Sequence, residues 1–579
     1  MKRILLSALF AAATILPTFA IGPSPRIWTT KQSDGTLLKF RQHGVERVEY
    51  FTTLDGKIMV KNANGDLAYA MIQDGKLVAS QYIAHEAGNR SNEEKAFLNN
   101  NDVANKLSTL HTTHRHARHA PLKAIHASTD DGLGKFNTTG AGGVNSIGTP
   151  TIPVIMVEFT DAKFDAKTTK AKLERYYNEV GYKDELLCKG SVKDYFTSQS
   201  RGKFVPTFEV LGPVNVNKSY KIYGKKTIYD EDADIDGLVR DAVNAATAKG
   251  YKFDNFKDKD GKVQLVCILY AGKGQATESN ADPNTADLIW PCQNDINETI
   301  GNTHFNSFFV GNELDHENKL MGMGIFCHEF GHALGLPDFY KTDYYTDGDD
   351  PFGFWSIMDG GAYVNDARAP IGYTAYERSY LGWLDIKELK KTEEVALDPV
   401  SNPNGTLAAL VRNPENNKEY FIMENRHTDT WYPASYTYGD ICTFGNGLLL
   451  THFSYDKYTW DKNAVNNDYN FKHAYVVTAN NEKLSFNARR EHLFGVNKKQ
   501  IDIFDFWTGK SIGQPVNNIV VNPDGTIKFT YSILDPAGIE NVTTTQQQGD
   551  GYYYDLQGRR VTHPTHGIYI HNGKKIVVK

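Results

Sequence analysis

Residues 328–338 read His-Glu-Phe-Gly-His-Ala-Leu-Gly-Leu-Pro-Asp, side chains whose types and spacing suit metal-assisted hydrolysis. On a helix, His328 and His332 lie four apart on one face, so two imidazoles aim at a common point, which suits zinc. Glu329 places a carboxylate where it can take a proton from a water held by such a metal, the general-base step of hydrolysis. Gly335 tolerates the left-handed conformation that ends helices, and Pro337 cannot continue one. The chain is therefore expected to turn there and bring Asp338 back towards the metal. His328, His332 and Asp338 would then leave a fourth coordination position open, as a catalytic zinc requires. A bare H-E-x-x-H also occurs in ordinary helices with unligated histidines; the added Gly335 and Asp338 narrow that reading.

To act together these residues need a helix over about Met321 to Leu334 and a support beneath it. Phe354-Trp355-Ser356-Ile357-Met358-Asp359-Gly360-Gly361 lies about 20 residues downstream, where zinc proteases of the metzincin kind place a Met-containing turn under the metal. Tyr363, just past that turn, is a candidate donor to a developing oxyanion. A thermolysin-like scheme would instead draw its third ligand from a downstream glutamate, with Glu377 the nearest candidate; Gly335 and Met358 favour Asp338. Around these motifs, from residue 150 to about 390, apolar strands such as Val263–Tyr270 alternate with helical patterns, which predicts an α/β domain.

The extended zinc motif, the Ser-Ile-Met-Asp-Gly-Gly turn and Tyr376-Glu377-Arg378-Ser379-Tyr380-Leu381-Gly382-Trp383-Leu384 together resemble the immune inhibitor A family of secreted bacterial metallopeptidases. Val154–Asp161 is similar to that family's first core strand. Ser191–Phe196, Gln199-Ser200 and Gly202-Lys203-Phe204 are similar to the helix and strand that follow. Glu419–Arg426, Gly447–His452 and Trp460 with Asn463, Val465-Asn466 and Asp468 resemble its accessory β region, so the resemblance covers about residues 150–530. It implies an α/β metzincin-like zinc protease domain with a β-rich propeptide and a C-terminal antiparallel β domain. It also implies a zinc endopeptidase in which His328, His332 and Asp338 hold the metal, Glu329 is the base, and proteins or peptides are the substrates. A rival from another class is a catalytically idle surface-binding or adhesion protein that keeps the fold; the intact Glu329 speaks against it, because binding alone needs no base beside the metal.

The chain of 579 residues is too long for one core. Residues 1–20 combine Lys2-Arg3, an apolar run from Ile4 to Ile15 and a small Ala20, the pattern of a cleavable signal peptide. Its removal takes the formal charge from −6 to −8, and this mild acidity, spread along the chain, argues against nucleic acid as a partner. No other segment is long and apolar enough to span a membrane. Residues 21–110 show short alternating patterns with turns at Asp55-Gly56, Asn64-Gly65 and Asp74-Gly75, then a polar helix near Asn92–Asn99; their place between signal and protease suggests a propeptide. The basic, His-rich stretch His111–His119 and Gly140–Gly143 make residues 111–149 a cleavable linker. The catalytic domain is then expected over residues 150–390.

Residues 391–535, rich in Thr, Tyr, Phe and Val, read as an antiparallel β domain, with a turn at Asn522-Pro523-Asp524-Gly525. Residues 536–579 contain a strand pattern and a hairpin about Asn572-Gly573. This tail is similar to C-terminal sorting modules of proteins carried across a bacterial outer membrane, which would make outer-membrane secretion machinery a partner and the destination secreted or cell-surface; the alternative is a small β appendage. Calcium is a second cofactor candidate at Asp258-Lys259-Asp260-Gly261-Lys262 and at the acidic loop of Asp343, Asp347, Asp349 and Asp350, although neither has full ligand spacing. Five scattered cysteines are too few for a disulfide scaffold, and their odd number leaves at least one unpaired; Cys327, beside the first zinc ligand, is expected to be a buried structural thiol.

Overall fold

The computed structural model describes residues 19–578 except 46–47, 74–75, 102, 104–129, 135–142, 185–187, 227–231, 343–349, 433–435, 439, 469–470, 485–486, 534–551, 556–558 and 572–573. Most of the signal segment, most of the 111–149 linker, the Asp74-Gly75 and Asn572-Gly573 turns and most of the acidic loop after the zinc motif therefore lie outside the described residues. The chain forms two compact units, residues 1–532 and 533–579.

In the first unit, a mixed sheet carries the site. Its strands are β1 (Phe19–Ala20), β2 (Thr151–Glu158), β3 (Thr207–Asn215), β4 (Lys262–Lys273), β5 (Cys292–Ile300) and β6 (Thr303–Leu314), in the order β1-β5-β6-β4-β2-β3. β2, β3, β4 and β6 run parallel. The middle of β4, Val263–Tyr270, is a near-continuous apolar run, as a strand covered on both faces must be. β5 alternates buried and exposed residues and pairs antiparallel with β6, and on its other edge with β1. Helix α1 (Met323–Ala333), buried along its whole length, packs near β1, β5 and β6 of this sheet. The one-sided stripe of a surface helix is absent from it, as a helix at the centre of a large core requires.

Ahead of most of the mixed sheet in the chain, residues 28–83 form a six-stranded antiparallel meander with its own small core of Leu38, Phe40, Phe51, Met59, Leu67 and Tyr69. Gly56 and Gly65 take left-handed conformations in its turns. A helix at Asn92–Asn100 follows, started by a reciprocal Ser91–Glu94 cap. After the mixed sheet and α1 in the chain, a five-stranded and a four-stranded sheet enclose a second apolar core that includes Phe421, Met423, Leu450, Phe504 and Phe529. The other face of the five-stranded sheet contributes Tyr420, Ile422 and Phe453 to the core around the mixed sheet, so this β region shares a hydrophobic core with it. The Asn522–Gly525 turn closes the strand Ile527–Tyr531, with Gly525 left-handed. Asp258 is occupied by turn closure: its carboxylate accepts from the backbone N–H groups of Asp260 and Lys262.

All five cysteines are buried thiols. Burial pushes Cys188 up to about 12 and holds Cys267 and Cys327 well above the ordinary thiol range. The second unit is a four-stranded antiparallel sheet in which Gly567–His571 pairs with Lys574–Val578 on either side of the sequence-predicted turn. No helix among the described residues is long and apolar enough to cross a membrane.

Candidate metal centre and cleft

Helix α1 ends as its sequence dictates. Gly335 is left-handed at φ +104°, and the N–H groups of Gly335 and Leu336 turn back to the carbonyls of His332 and Gly331. Pro337 then directs Asp338 back along the helix. Asp338 Oδ1 lies 3.1 Å from His328 Nε2 and 3.2 Å from His332 Nε2, and all three side chains are buried. These three residues are the one cluster of metal-ligating type among the described residues.

Each imidazole is oriented from behind. His328 Nδ1 lies 2.7 Å from the Ile357 carbonyl, and His332 Nδ1 lies 2.7 Å from the Leu336 carbonyl. A carbonyl only accepts, so both Nδ1 atoms carry hydrogen and both Nε2 atoms are left facing Asp338. Burial lowers the His328 pKa, against the pull of the neighbouring Asp338 carboxylate, which raises it. Burial alone would raise Asp338, but His332 and His328 outweigh it and hold the carboxyl ionised. His328 Nε2 and Asp338 Oδ1 are buried and make no hydrogen bond of good geometry, although they sit side by side. Two imidazole nitrogens and a carboxylate oxygen converging in this way fit a zinc ion.

The Met turn lies directly below. A Cβ on Gly331 would come within 2.7 Å of Met358 Sδ, so the helix approaches the turn this closely only because residue 331 is glycine. The Phe339 N–H donates to the Met358 carbonyl, tying the ligand loop to the turn. Glu377, the rival third ligand, is engaged elsewhere. Its carboxylate accepts from Ser356 Oγ and the Thr374 N–H at the start of α2 (Ala375–Tyr380), and it takes no part in the histidine cluster. A Thr-x-x-Glu capping box in the sequence could have signalled this role.

What the sequence left open is which residues of the expected propeptide would reach the cleft. Phe19 and Ala20 pair with Gln293 and Cys292 of β5. The Ile21 N–H then donates to Glu329 Oε1 at 2.7 Å, and the Ile21 carbonyl accepts from Trp290 Nε1 at 2.9 Å. Tyr363 donates its hydroxyl to the Gly22 carbonyl at 2.6 Å, and the Ser24 N–H donates to the Ala276 carbonyl. Arg26 pairs with Asp366 at 3.0 Å. The N-terminal segment thus runs through the cleft with backbone groups at Glu329 and at Tyr363. Their partners lie some 300 residues away in sequence, out of reach of any local pattern.

Comparison with known proteins matches residues 144–383 to the immune inhibitor A peptidase M6 catalytic domain. The chain is 24% identical over 292 residues to the pre-pro-metalloprotease PrtV of Vibrio cholerae, covering 42% of this chain and 32% of that protein. It is 27% identical over 289 residues to immune inhibitor A of Bacillus thuringiensis subsp. alesti, covering 41% of each. The chain thus spans about a third to two fifths of the length of these relatives. The resemblance read from the motifs is upheld for the catalytic segment.

Proposed function

We propose that this chain, which carries an immune inhibitor A peptidase M6 catalytic domain in residues 144–383, is a secreted zinc-dependent endopeptidase made as a precursor. The observation that carries the reading is the convergence of His328, His332 and Asp338 beside the Glu329 carboxylate, with a peptide N–H already seated on that carboxylate. The Met turn under α1 favours a metzincin-like architecture.

Zinc, when bound by His328, His332 and Asp338, supplies Lewis acidity to the scissile carbonyl and to the attacking water. The chain's own residues do the rest. β5 receives substrate backbone as an added strand, as it receives Phe19–Ala20. Glu329 accepts the proton of the water and passes it to the leaving amine, whose position is marked by the Ile21 nitrogen. Tyr363, a candidate oxyanion donor in the sequence, donates instead to the Gly22 carbonyl, two residues beyond the carbonyl bonded to the Ile21 nitrogen, and so steadies substrate backbone past the scissile bond. An idle binding protein would need none of the alignment between Glu329 and a peptide nitrogen. The test offers a diverse peptide library to the mature protein with and without a zinc chelator, alongside metal analysis of Asp338→Ala and Glu377→Ala. Cleavage lost on chelation, and zinc lost in Asp338→Ala only, are expected. Chelator-insensitive cleavage, or zinc lost from Glu377→Ala instead, would overturn the assignment.

The segment from Ile21 to about residue 110 is read as a propeptide, released by cutting in the His111–Gly143 linker. Residues 21–187 hold no cysteine, so a thiolate cannot be the blocking group. His43 of this region lines the same cavity as Ile21, Tyr340, Lys341, Asp350 and Asp359. Burial, with a smaller contribution from Arg41, pushes its pKa down to about 3. A folded-state pKa below the unfolded value of about 6.5 means that His43 contributes fully above pH 6.5, and that its contribution is lost as the pH falls towards 3. At pH 5 the loss reaches about 2 kcal/mol. Thermal unfolding of the full chain between pH 7 and pH 5 is therefore expected to fall more steeply in the wild type than in His43→Gln; parallel curves would remove this role.

A further inference from the structure

Asp338 is held by a residue far outside the matched peptidase segment. Asn463 Oδ1 accepts the Asp338 N–H at 2.6 Å, and Asn463 Nδ2 donates to Asp338 Oδ2 at 2.6 Å. A carboxamide presents one acceptor and one donor face, the pair needed to grip a residue by its backbone N–H and its own carboxylate at once. Asn463 is itself fixed. It is buried, sits in the left-handed region at φ +49°, which Asn tolerates, and donates its N–H to the Trp460 carbonyl. Its neighbours stitch the same two segments together without touching a ligand. Thr342 Oγ1 donates to the Asn463 carbonyl, the Thr342 N–H donates to Asn467 Oδ1, and Asn466 Nδ2 donates to the Phe339 carbonyl.

The consequence for Asp338 is specific. With Oδ2 engaged by Asn463, Oδ1 is the oxygen left facing the two imidazoles. We propose that Asn463 is a positioning residue of the metal centre, setting which oxygen of Asp338 coordinates, so that the β region after the peptidase segment forms part of the zinc site. This rests on the zinc peptidase reading above. Partners that orient a metal ligand in this way are worth about 10- to 100-fold in metal affinity.

The test measures zinc affinity of the full chain by competition with a chromophoric chelator, and records the visible spectrum of the cobalt-substituted protein. Asn463→Gly removes both contacts without strain at a left-handed position. Asn463→Asp keeps the acceptor and the size but sets an oxygen against Asp338 Oδ2. Asn467→Ala cuts a stitch of the same loop and spares Asp338. The expected result is a 10- to 100-fold weaker zinc affinity and an altered cobalt spectrum in both Asn463 variants, with Asn467→Ala near wild type in both. Wild-type affinity and spectrum in Asn463→Asp, or equal weakening in Asn467→Ala, would reduce Asn463 to a structural residue and overturn the proposal. A wild-type chain that cleaves peptides but holds no zinc would overturn the parent reading together with this one.

Discussion

Glu329→Ala is expected to retain zinc and to lose peptide hydrolysis by about 10³-fold or more. The substitution spares His328, His332 and Asp338 and their orienting carbonyls, so the metal set is untouched. It removes the one carboxylate that reaches the nitrogen seated in the cleft, where Ile21 lies 2.7 Å away. A positioned general base contributes roughly 10²- to 10⁴-fold, or about 3–5 kcal/mol of barrier. Because Glu329 is fully buried, Ala also leaves a void; Glu329→Gln, of nearly the same shape, separates packing from proton transfer. Both variants should carry stoichiometric zinc by metal analysis and show a collapsed kcat. Turnover in either metal-replete variant at near wild-type rate would remove Glu329 from the mechanism.

The second large effect concerns release of the cleft. The full chain is expected to be nearly silent towards a small fluorogenic peptide, and a form cut within His111–Gly143 and freed of its N-terminal part to be active. A tethered segment competes at an effective concentration of roughly millimolar. If its own affinity is about micromolar, activity should rise about 10³-fold once it diffuses away. The contacts at stake are those of the backbone of residues 21–24, at Glu329, Trp290, Tyr363 and Ala276. They make blocking insensitive to most side-chain changes in residues 21–24 and sensitive to removal of the segment. Equal activity before and after cutting would make residues 21–110 a stable domain or a folding aid.

The helix carrying His328 and His332, its Gly335 stop, the returning Asp338 and the turn at Met358 were legible because each is a local pattern in which a helical period, a left-handed glycine or a proline does the positioning. The strand and turn signals of the β regions were legible for the same reason. The grip of Asn463 on Asp338 and the passage of residues 19–24 through the cleft were not. Each joins residues more than a hundred positions apart through single hydrogen bonds, and neither leaves a periodicity to read. Glu377 stands between these cases. Its spacing from Thr374 is a local cap signal, yet the same carboxylate suited a metal ligand, and only its capture by Ser356 and Thr374 distinguishes the two uses.

The cysteines bear on how opening of this molecule could be followed. All five sulfhydryls are sheltered, they fall between residues 188 and 442, and no cystine cross-link joins them. The fold therefore asks nothing of the oxidising power of its surroundings. An alkylating reagent would meet sulfur only when the catalytic body or the adjoining β region breathes, while the N-terminal meander and the C-terminal unit stay invisible to it. The rate of mass increase under such labelling is thus a clock for one half of the molecule, read without adding a single probe.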